Sequence, residues 1–327
     1  MPVVSVIVPN YNHSNYLKQR MDSILSQTYQ DFEIIILDDC STDDSLKVLN
    51  QYKDYPKVTH FIVNDKNSGS VFRQWNKGVS LAQGEFIWIA ESDDIASPVF
   101  LESLVDKLIG NEALGISFCQ SNKINSLGEV YGDWINHTKE KEKNIFINSF
   151  EMSGNLFIKN FLIHQNSIPN ASGVIFRKSF YLKSGGAPEH LKTIGDWNVW
   201  VKILSFSNIY FCHEKLNYFR MHDSSCVAIS SKTDIRANII LMHFYMYKDL
   251  FEFLDKENKK ISKIFKHKKN MAASRFFFNC ISHKNYQILL NNFYSLRLFF
   301  IFLNMSFYIV LFRLFLFFLL RKEYSKL

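Results

Sequence analysis

An α/β fold, with a mostly parallel sheet covered by helices, is predicted from three observations. Residues 86–90 (FIWIA) form an unbroken apolar run behind Gly84-Glu85, too short for a buried helix and apolar on both faces. A central parallel strand covered on each side has that character. Residues 3–8 (VVSVIV) and 33–37 (EIIIL) are runs of the same kind. Between the runs, apolar residues recur at helical spacing, so strand and helix alternate three times into a fourth strand. That alternation is the pattern of right-handed βαβ units.

Taken in order, residues 3–8 read as the first strand and Pro9-Asn10-Tyr11-Asn12-His13-Ser14 as a polar loop. Leu17, Met21, Ile24 and Leu25 then give a helix with Ser14 as its cap. The second strand ends in Asp38-Asp39. The helix behind it turns Leu46, Leu49 and Tyr52 inward, and Ser41 to Asp44 matches a capping box. Residues 58–63 are the third strand, and a helix through Trp75, Val79 and Ala82 leads to the central strand, with Trp75 in the core. That central strand ends in Glu91, Asp93 and Asp94. In open α/β sheets the loops past the carboxyl ends of the strands form the ligand crevice. Carboxylates packed this closely repel, so a cation or a shared proton has to offset the cost. An oxygen-only set suits Mg²⁺ or Mn²⁺ beside phosphate oxygens. A solvated acidic turn before the helix that Ser97-Pro98 starts is the alternative.

Several function classes are excluded. The first strand–helix turn contains no glycine, so it cannot bring backbone close to a dinucleotide pyrophosphate, and no G-x-x-x-x-G-K-[ST] loop occurs. Cys40, Cys119, Cys212, Cys226 and Cys280 are odd in number and lack a C-x-x-C pair, which fits a reducing compartment rather than a disulfide framework or zinc site. At 327 residues, 47% hydrophobic and a formal charge of +7, the chain is globular and two-domain in scale. No nucleic-acid partner is expected. The chain enters a strand at once, and no signal peptide is expected.

The segments VSVIVPNYNHSNYL, SILSQTY, DFEIIILDDCSTDDS and NSGSVFRQWNKGVSLAQGEFIWIAESDD resemble glycosyltransferase family 2. The resemblance runs continuously from Val3 to about Leu108 and resumes in pieces as far as Ser225. It implies a GT-A fold, Rossmann-like, and inverting transfer from a nucleotide-sugar donor. It divides its own part of the chain into a nucleotide-sugar half (1–115) and an acceptor half (116–230); a C-terminal helical extension (231–327) lies outside it. Carried over by position, Pro9 and Tyr11 line the base, Asp39 meets base or ribose, and Arg73 reaches the diphosphate. Asp93 faces ribose or metal, and Asp94 ligates Mn²⁺ or Mg²⁺. Glu91 stands where the family usually has Asp, keeping the charge on a longer arm. Asp38 reads equally as a strand-end residue paired with backbone N–H groups. Asp196, in Gly195-Asp196-Trp197, matches the family's catalytic base. A helix-start Asp is otherwise an N-cap, and Glu189 and Asp223 are the next candidates for the base. Arg220 and His222, in YFRMHDSS, match the closing segment that meets diphosphate or metal.

Beyond the third strand's helix the reading is coarser. Residues 115–120 form a strand, Ser126-Leu127-Gly128-Glu129 a hairpin turn, and residues 139–143 (KEKEK) a charged run. Residues 169–177 read as loop then strand, and 234–254 as a long aromatic helix. Residues 256–269 hold seven Lys against one Glu, and 298–320 are nearly all Phe, Leu and Ile around Arg313. The length suits a membrane span, but a central Arg costs about 3 kcal/mol on insertion scales, which favours interfacial attachment to anionic lipid. A helical core or dimer surface is the alternative. The reading is a cytoplasmic glycosyltransferase, peripheral or monotopic on the inner face of the cell membrane, with a saccharide or lipid-linked saccharide acceptor in surface polysaccharide assembly. An inert partner of a saccharide-assembly complex and a nucleotidyltransferase are the rivals.

Overall fold

The computed structural model describes residues 1–135, 145–191, 193–222 and 236–282. The alternation appears as β1 (Val4–Asn10), α1 (Ser14–Leu25), β2 (Phe32–Asp38), α2 (Ser45–Leu49), β3 (Val58–Val63), α3 (Val71–Leu81) and β4 (Phe86–Ile89). Then follow β5 (Ile95–Ala96), α4 (Phe100–Ile109), β6 (Leu114–Ile124), β7 (Val130–Asp133) and β8 (Phe150–Ser153). α5 (Gly154–Phe157) runs into a π-helical turn, Ile158–Leu162. β9 (Val174–Arg177), α6 (Lys178–Lys183), α7 (Gly195–Leu204), β10 (Asn208–Arg220), α8 (Arg236–Glu257) and α9 (Lys259–Ser282) complete the described chain.

The strands form one mixed sheet in the order β3-β2-β1-β4-β9-β6-β10-β5, with β7 on β6 and β8 on β10. β3, β2, β1 and β4 are mutually parallel. β1 therefore has β2 on one side and β4 on the other, which opens a crevice past their carboxyl ends. β9 enters antiparallel between β4 and β6, and β10 runs parallel to β6. Both faces are buried, as the apolar strands require. Ile7, Ile35, Leu37, Ile87 and Ile89 pack toward one core with Trp75 and Trp200. Val6, Val8, Ile34, Ile36 and Trp88 alternate with them into the other, with Leu17, Met21 and Phe100.

Local expectations fail at two helix starts. Ser14 is the first helical residue, not a cap; its N–H donates to Asp43 Oδ2 at 2.9 Å. The capping box before α2 does not form, because Ser41 turns back to donate its hydroxyl to Asp38 at 2.6 Å. In each case an aspartate outside the helix, Asp43 from the loop after β2 or Asp38 at the end of β2, takes the group instead. The 115/116 division falls inside β6, which continues the same sheet. The expected hairpin turn forms between β6 and β7, with Gly128 at φ +90°.

The C-terminal extension packs on the sheet domain. Leu241, Phe244, Leu250 and Phe265 join the core that holds Trp200. Asp249 accepts from Asn198 and pairs with Lys202, both at 2.8 Å. No helix among the described residues is long and apolar enough to cross a membrane. Residues 139–143, 298–320 and Asp223 lie outside the described residues.

Candidate active site

The chain leaves β4 into the acidic turn, and its three carboxylates take three different directions. Glu91 accepts the Trp75 indole N–H at 2.9 Å, while its own N–H donates to Ser172 Oγ at 3.2 Å. Burial, followed by the nearby charge of Asp93, pushes its pKa up to about 8. Asp94, 2% exposed, accepts the backbone N–H of Arg220 at 2.9 Å. Burial and Asp93 push its carboxyl upward as well. Asp93 alone turns to the crevice, with Oδ2 3.0 Å from His222 Nε2. Burial works against its ionisation, but the His222 hydrogen bond and the charges of His13 and His222 hold it below the usual carboxylate range.

A cation against this turn is built into the fold. Arg20 on α1 is fully buried over the Trp88 ring, and its Nε donates to the Glu91 carbonyl at 2.7 Å. Its two terminal nitrogens are buried without a hydrogen-bond partner. Burial lowers its pKa to about 10 against the opposing pull of Asp94, Asp93 and Glu91, so it stays charged at neutral pH. Arg20 thus offsets part of the repulsion within the turn, and burial favours the protonated forms of Glu91 and Asp94.

Three side chains converge where a metal is expected. His13, Asp93 and His222 each offer a ligand atom, and those atoms all lie within 4.8 Å of one another. The two imidazoles stand perpendicular, 5.4 Å apart, with Tyr16 5.0 Å from His222. His13 Nδ1 lies 2.8 Å from Ser92 Oγ. The set differs from the expected Glu91, Asp93, Asp94 and His222. Asp93 and His222 are together, Glu91 and Asp94 point elsewhere, and His13 is added. A carboxylate and two imidazoles form a donor set fit for a divalent ion.

Sheet pairing explains the convergence. β10 runs antiparallel to β5, with Tyr218 opposite Ile95, so its end passes back along the acidic turn. Arg220 consequently lies against Asp93 and Asp94, and His222, two residues on, reaches the Asp93 carboxylate. β1 lies beside β4, which brings the loop holding His13 to the same place. That loop carries Asn12 at φ +57°, and the facing loop after β2 carries Cys40 at φ +63°. Left-handed backbone at non-glycine positions is a cost of about 1–3 kcal/mol that clusters at functional loops.

Arg220, expected on the donor, is spent on the protein. It is fully buried, and its guanidinium donates to the carbonyls of Asp93, Asn125 and Ser126 and to Gln19 Oε1. It clamps the β6–β7 turn to the acidic turn. Asp39 is similarly engaged, accepting from Asn64, Gln74 and both the N–H and hydroxyl of Ser68. Asp38 accepts from Asn10 and from Ser41 N–H, as its strand-end reading has it. Pro9 is buried within β1, and Tyr11 is exposed just beyond it. Arg73 lies exposed, bonded to Glu189 and to the Ser68 carbonyl.

Asp196 lies in the first turn of α7, where it is not the N-cap: that position is Ile194. Its Oδ2 accepts from Asn166 Nδ2 at 2.9 Å, just past the π-helical turn. Burial pushes its pKa up to about 6, against the opposing hydrogen bonds from Trp197 N–H and Asn166. α3 links this carboxylate to the acidic turn. Trp75 bonds Glu91 and packs 6.0 Å from Trp200 of α7. Phe72 packs so close to Gly195 that a Cβ there would lie 2.5 Å from its ring. His13, Arg20, Ser172 and Asn166 escaped the sequence reading because each acts through a partner distant in sequence; among them His13 and Ser172 fell in loops already marked.

The glycosyl transferase family 2 profile matches residues 5–172. An uncharacterized glycosyltransferase from Rickettsia typhi is 30% identical over 230 residues, 68% of this chain and 65% of that protein. A putative teichuronic acid biosynthesis glycosyltransferase, TuaG of Bacillus subtilis, is 39% identical over 93 residues, 28% of this chain and 36% of that protein. Among solved structures, S. aureus TarS in complex with UDP-GlcNAc superposes with a TM-score of 0.57 at 20% identity, covering 84% of this chain and 80% of that one. The mannosyltransferase PcManGT from Pyrobaculum calidifontis, in complex with GDP-Man and Mn²⁺, gives 0.53 at 15% identity, covering 86% and 75%. At these identities the two structures establish the GT-A fold and nothing finer.

Proposed function

The chain belongs to glycosyl transferase family 2, and from that premise we propose that it is an inverting glycosyltransferase of polysaccharide biosynthesis that takes its sugar from a nucleotide-sugar. The carrying observation is the pairing, across α3, of the Asp93–His222 contact at 3.0 Å with the half-buried carboxylate of Asp196. One end is suited to a diphosphate and its counter-ion, the other to an acceptor hydroxyl. The name of TuaG and the ligands of TarS and PcManGT support the polymer class and a nucleotide-sugar donor.

In this reading the nucleoside lies against the loops that follow β1 and β2, beside exposed Tyr11. Asp39 shapes that wall by ordering residues 64–68 through its hydrogen bonds to Asn64 and Ser68. Arg73 stands at the rim, where it can exchange Glu189 for a phosphate oxygen. Asp93 and His222 would hold a divalent ion, which when bound supplies positive charge to the departing diphosphate. Asp196 takes the proton of the acceptor hydroxyl. The acceptor oxygen then bonds to the anomeric carbon, the bond from that carbon to the diphosphate oxygen breaks, and the electron pair leaves with the diphosphate. Attack from the face opposite the leaving group inverts the anomeric centre. Asn166 holds the base in place, and its N–H favours the ionised form that abstraction needs.

The deciding experiment measures thermal stability of the full chain with nucleoside diphosphates and nucleotide-sugars, with and without Mn²⁺. A donor at about 100 times its Kd stabilises by about 2.7 kcal/mol, enough to raise Tm by a few degrees. One nucleotide series should raise Tm more with Mn²⁺ than without, and Asp93→Asn should abolish the difference. If no nucleotide raises Tm, or if Asp93→Asn keeps the full metal dependence, the reading fails.

A further inference from the structure

We propose that His13 is a third protein ligand of the divalent ion, and that it tips the site from Mg²⁺ toward Mn²⁺. This rests on the metal reading of Asp93 and His222 and identifies the residue that sets its selectivity. His13 comes from the loop after β1, a different part of the chain from the acidic turn and the β10 end. Its ligand atom nonetheless lies within 4.8 Å of those of Asp93 and His222.

One contact prepares the ring for coordination. Nδ1 sits 2.8 Å from the hydroxyl of Ser92, itself 2% exposed and part of the acidic turn. With Nδ1 occupied there, Nε2 is the nitrogen left for an ion, the arrangement in which a hydrogen bond at one ring nitrogen fixes the ligating tautomer at the other.

The donor count then decides the metal. Adjacent ligands of an octahedral ion with bonds of about 2.1 Å are about 3 Å apart, and Asp93 Oδ2 and His222 Nε2 are 3.0 Å apart. An oxygen-rich site would need Glu91 and Asp94 as well. Glu91 is turned to the Trp75 indole, and Asp94 to the Arg220 N–H. What remains among the described residues is one carboxylate and two imidazoles. Mg²⁺ strongly prefers oxygen and binds nitrogen poorly, whereas Mn²⁺ and the later first-row ions accept imidazole.

The test is direct metal binding to the full-length apo protein, independent of turnover. Mn²⁺ is titrated by electron paramagnetic resonance with Mg²⁺ as competitor, and nitrogen couplings to bound Mn²⁺ are read by electron spin-echo modulation. The wild type should bind Mn²⁺ at least about tenfold tighter than Mg²⁺ and show two coupled imidazoles. His13→Ala and the near-isosteric His13→Asn should each lose about ten- to a hundredfold in Mn²⁺ affinity, leave Mg²⁺ within about twofold, and show one imidazole. His13→Asp should narrow the Mn²⁺ preference by restoring an oxygen. Unchanged Mn²⁺ affinity and two remaining couplings in folded His13→Asn would overturn the proposal while leaving the metal reading intact. A wild type that binds no Mn²⁺, with or without UDP or GDP, would instead bring down the metal reading and this inference with it.

Discussion

Asp196 carries a single carboxylate's worth of chemistry, and its surroundings set the pH at which that chemistry runs. Its pKa is pushed up to about 6 by burial. A base works only when ionised, so transfer should be full above about pH 6 and fall as pH drops through that value. Asn166 donates to the carboxylate and favours its charged form. Asn166→Ala should therefore move the acid limb of the kcat profile to higher pH, leaving donor KM nearly unchanged. Asp196→Asn should cut kcat by about 10²- to 10⁴-fold at all pH values, with Mn²⁺-dependent donor binding intact. A pH–rate series on the three proteins checks both, and an Asn166→Ala profile that overlies the wild type would mean that Asn166 plays no part in setting the base. Stability runs the opposite way. The folded state holds this proton more tightly than the unfolded chain, so the group's contribution to stability grows as pH falls through about 6.

At the scale of elements, α3 is the part on which the two halves of the site depend. One face of it fills the core between β1 and α7, and Trp75 also presents its indole N–H to Glu91. Trp75→Phe keeps most of the packing and removes only that donor. The half-buried Glu91 carboxylate then loses that hydrogen bond, which costs about 0.5–1.5 kcal/mol. Urea denaturation should show that loss with an unchanged m-value. Asp93 should keep its Mn²⁺ affinity within a few-fold, because Asp93 is held by His222 and not by Trp75. The sequence placed Trp75 in the core from its helical spacing, and the core position is what the structure has. Its second role was not legible, because nothing in the spacing of α3 shows that the β4 exit lies under the indole. α2 shows the opposite case. Its capping box matches locally, but Asp38 competes for Ser41 from the adjacent strand end and wins.

Over the whole molecule, charge is distributed unevenly. α9 exposes Lys259, Lys260, Lys263 and Lys266, and Lys256 precedes them at the end of α8. A polybasic face gains about 1 kcal/mol per Lys near an anionic membrane. The full chain should therefore sediment with vesicles containing anionic lipid at low salt and less at high salt. Lys260→Glu, Lys263→Glu and Lys266→Glu combined should weaken that binding by at least about a hundredfold; equal sedimentation of both proteins would show that this face does not meet lipid. The amino-acid sequence by itself determined the alternation of strands and helices, the two-faced burial of the parallel block and the acidic turn at the end of β4. Those depend on periodicity and composition within a dozen residues, where side chains choose between water and core one element at a time. Tertiary structure alone decided which carboxylate faces the crevice, that Arg20 lies against the turn, that Arg220 serves as a clamp, and that His13 joins Asp93. Those choices depend on β1 lying beside β4 and on the register of β10 against β5, which bring together groups 71 to 201 residues apart. Local patterning carries no term for contacts at that separation, because burial and hydrogen bonding there are settled only when the whole sheet has closed.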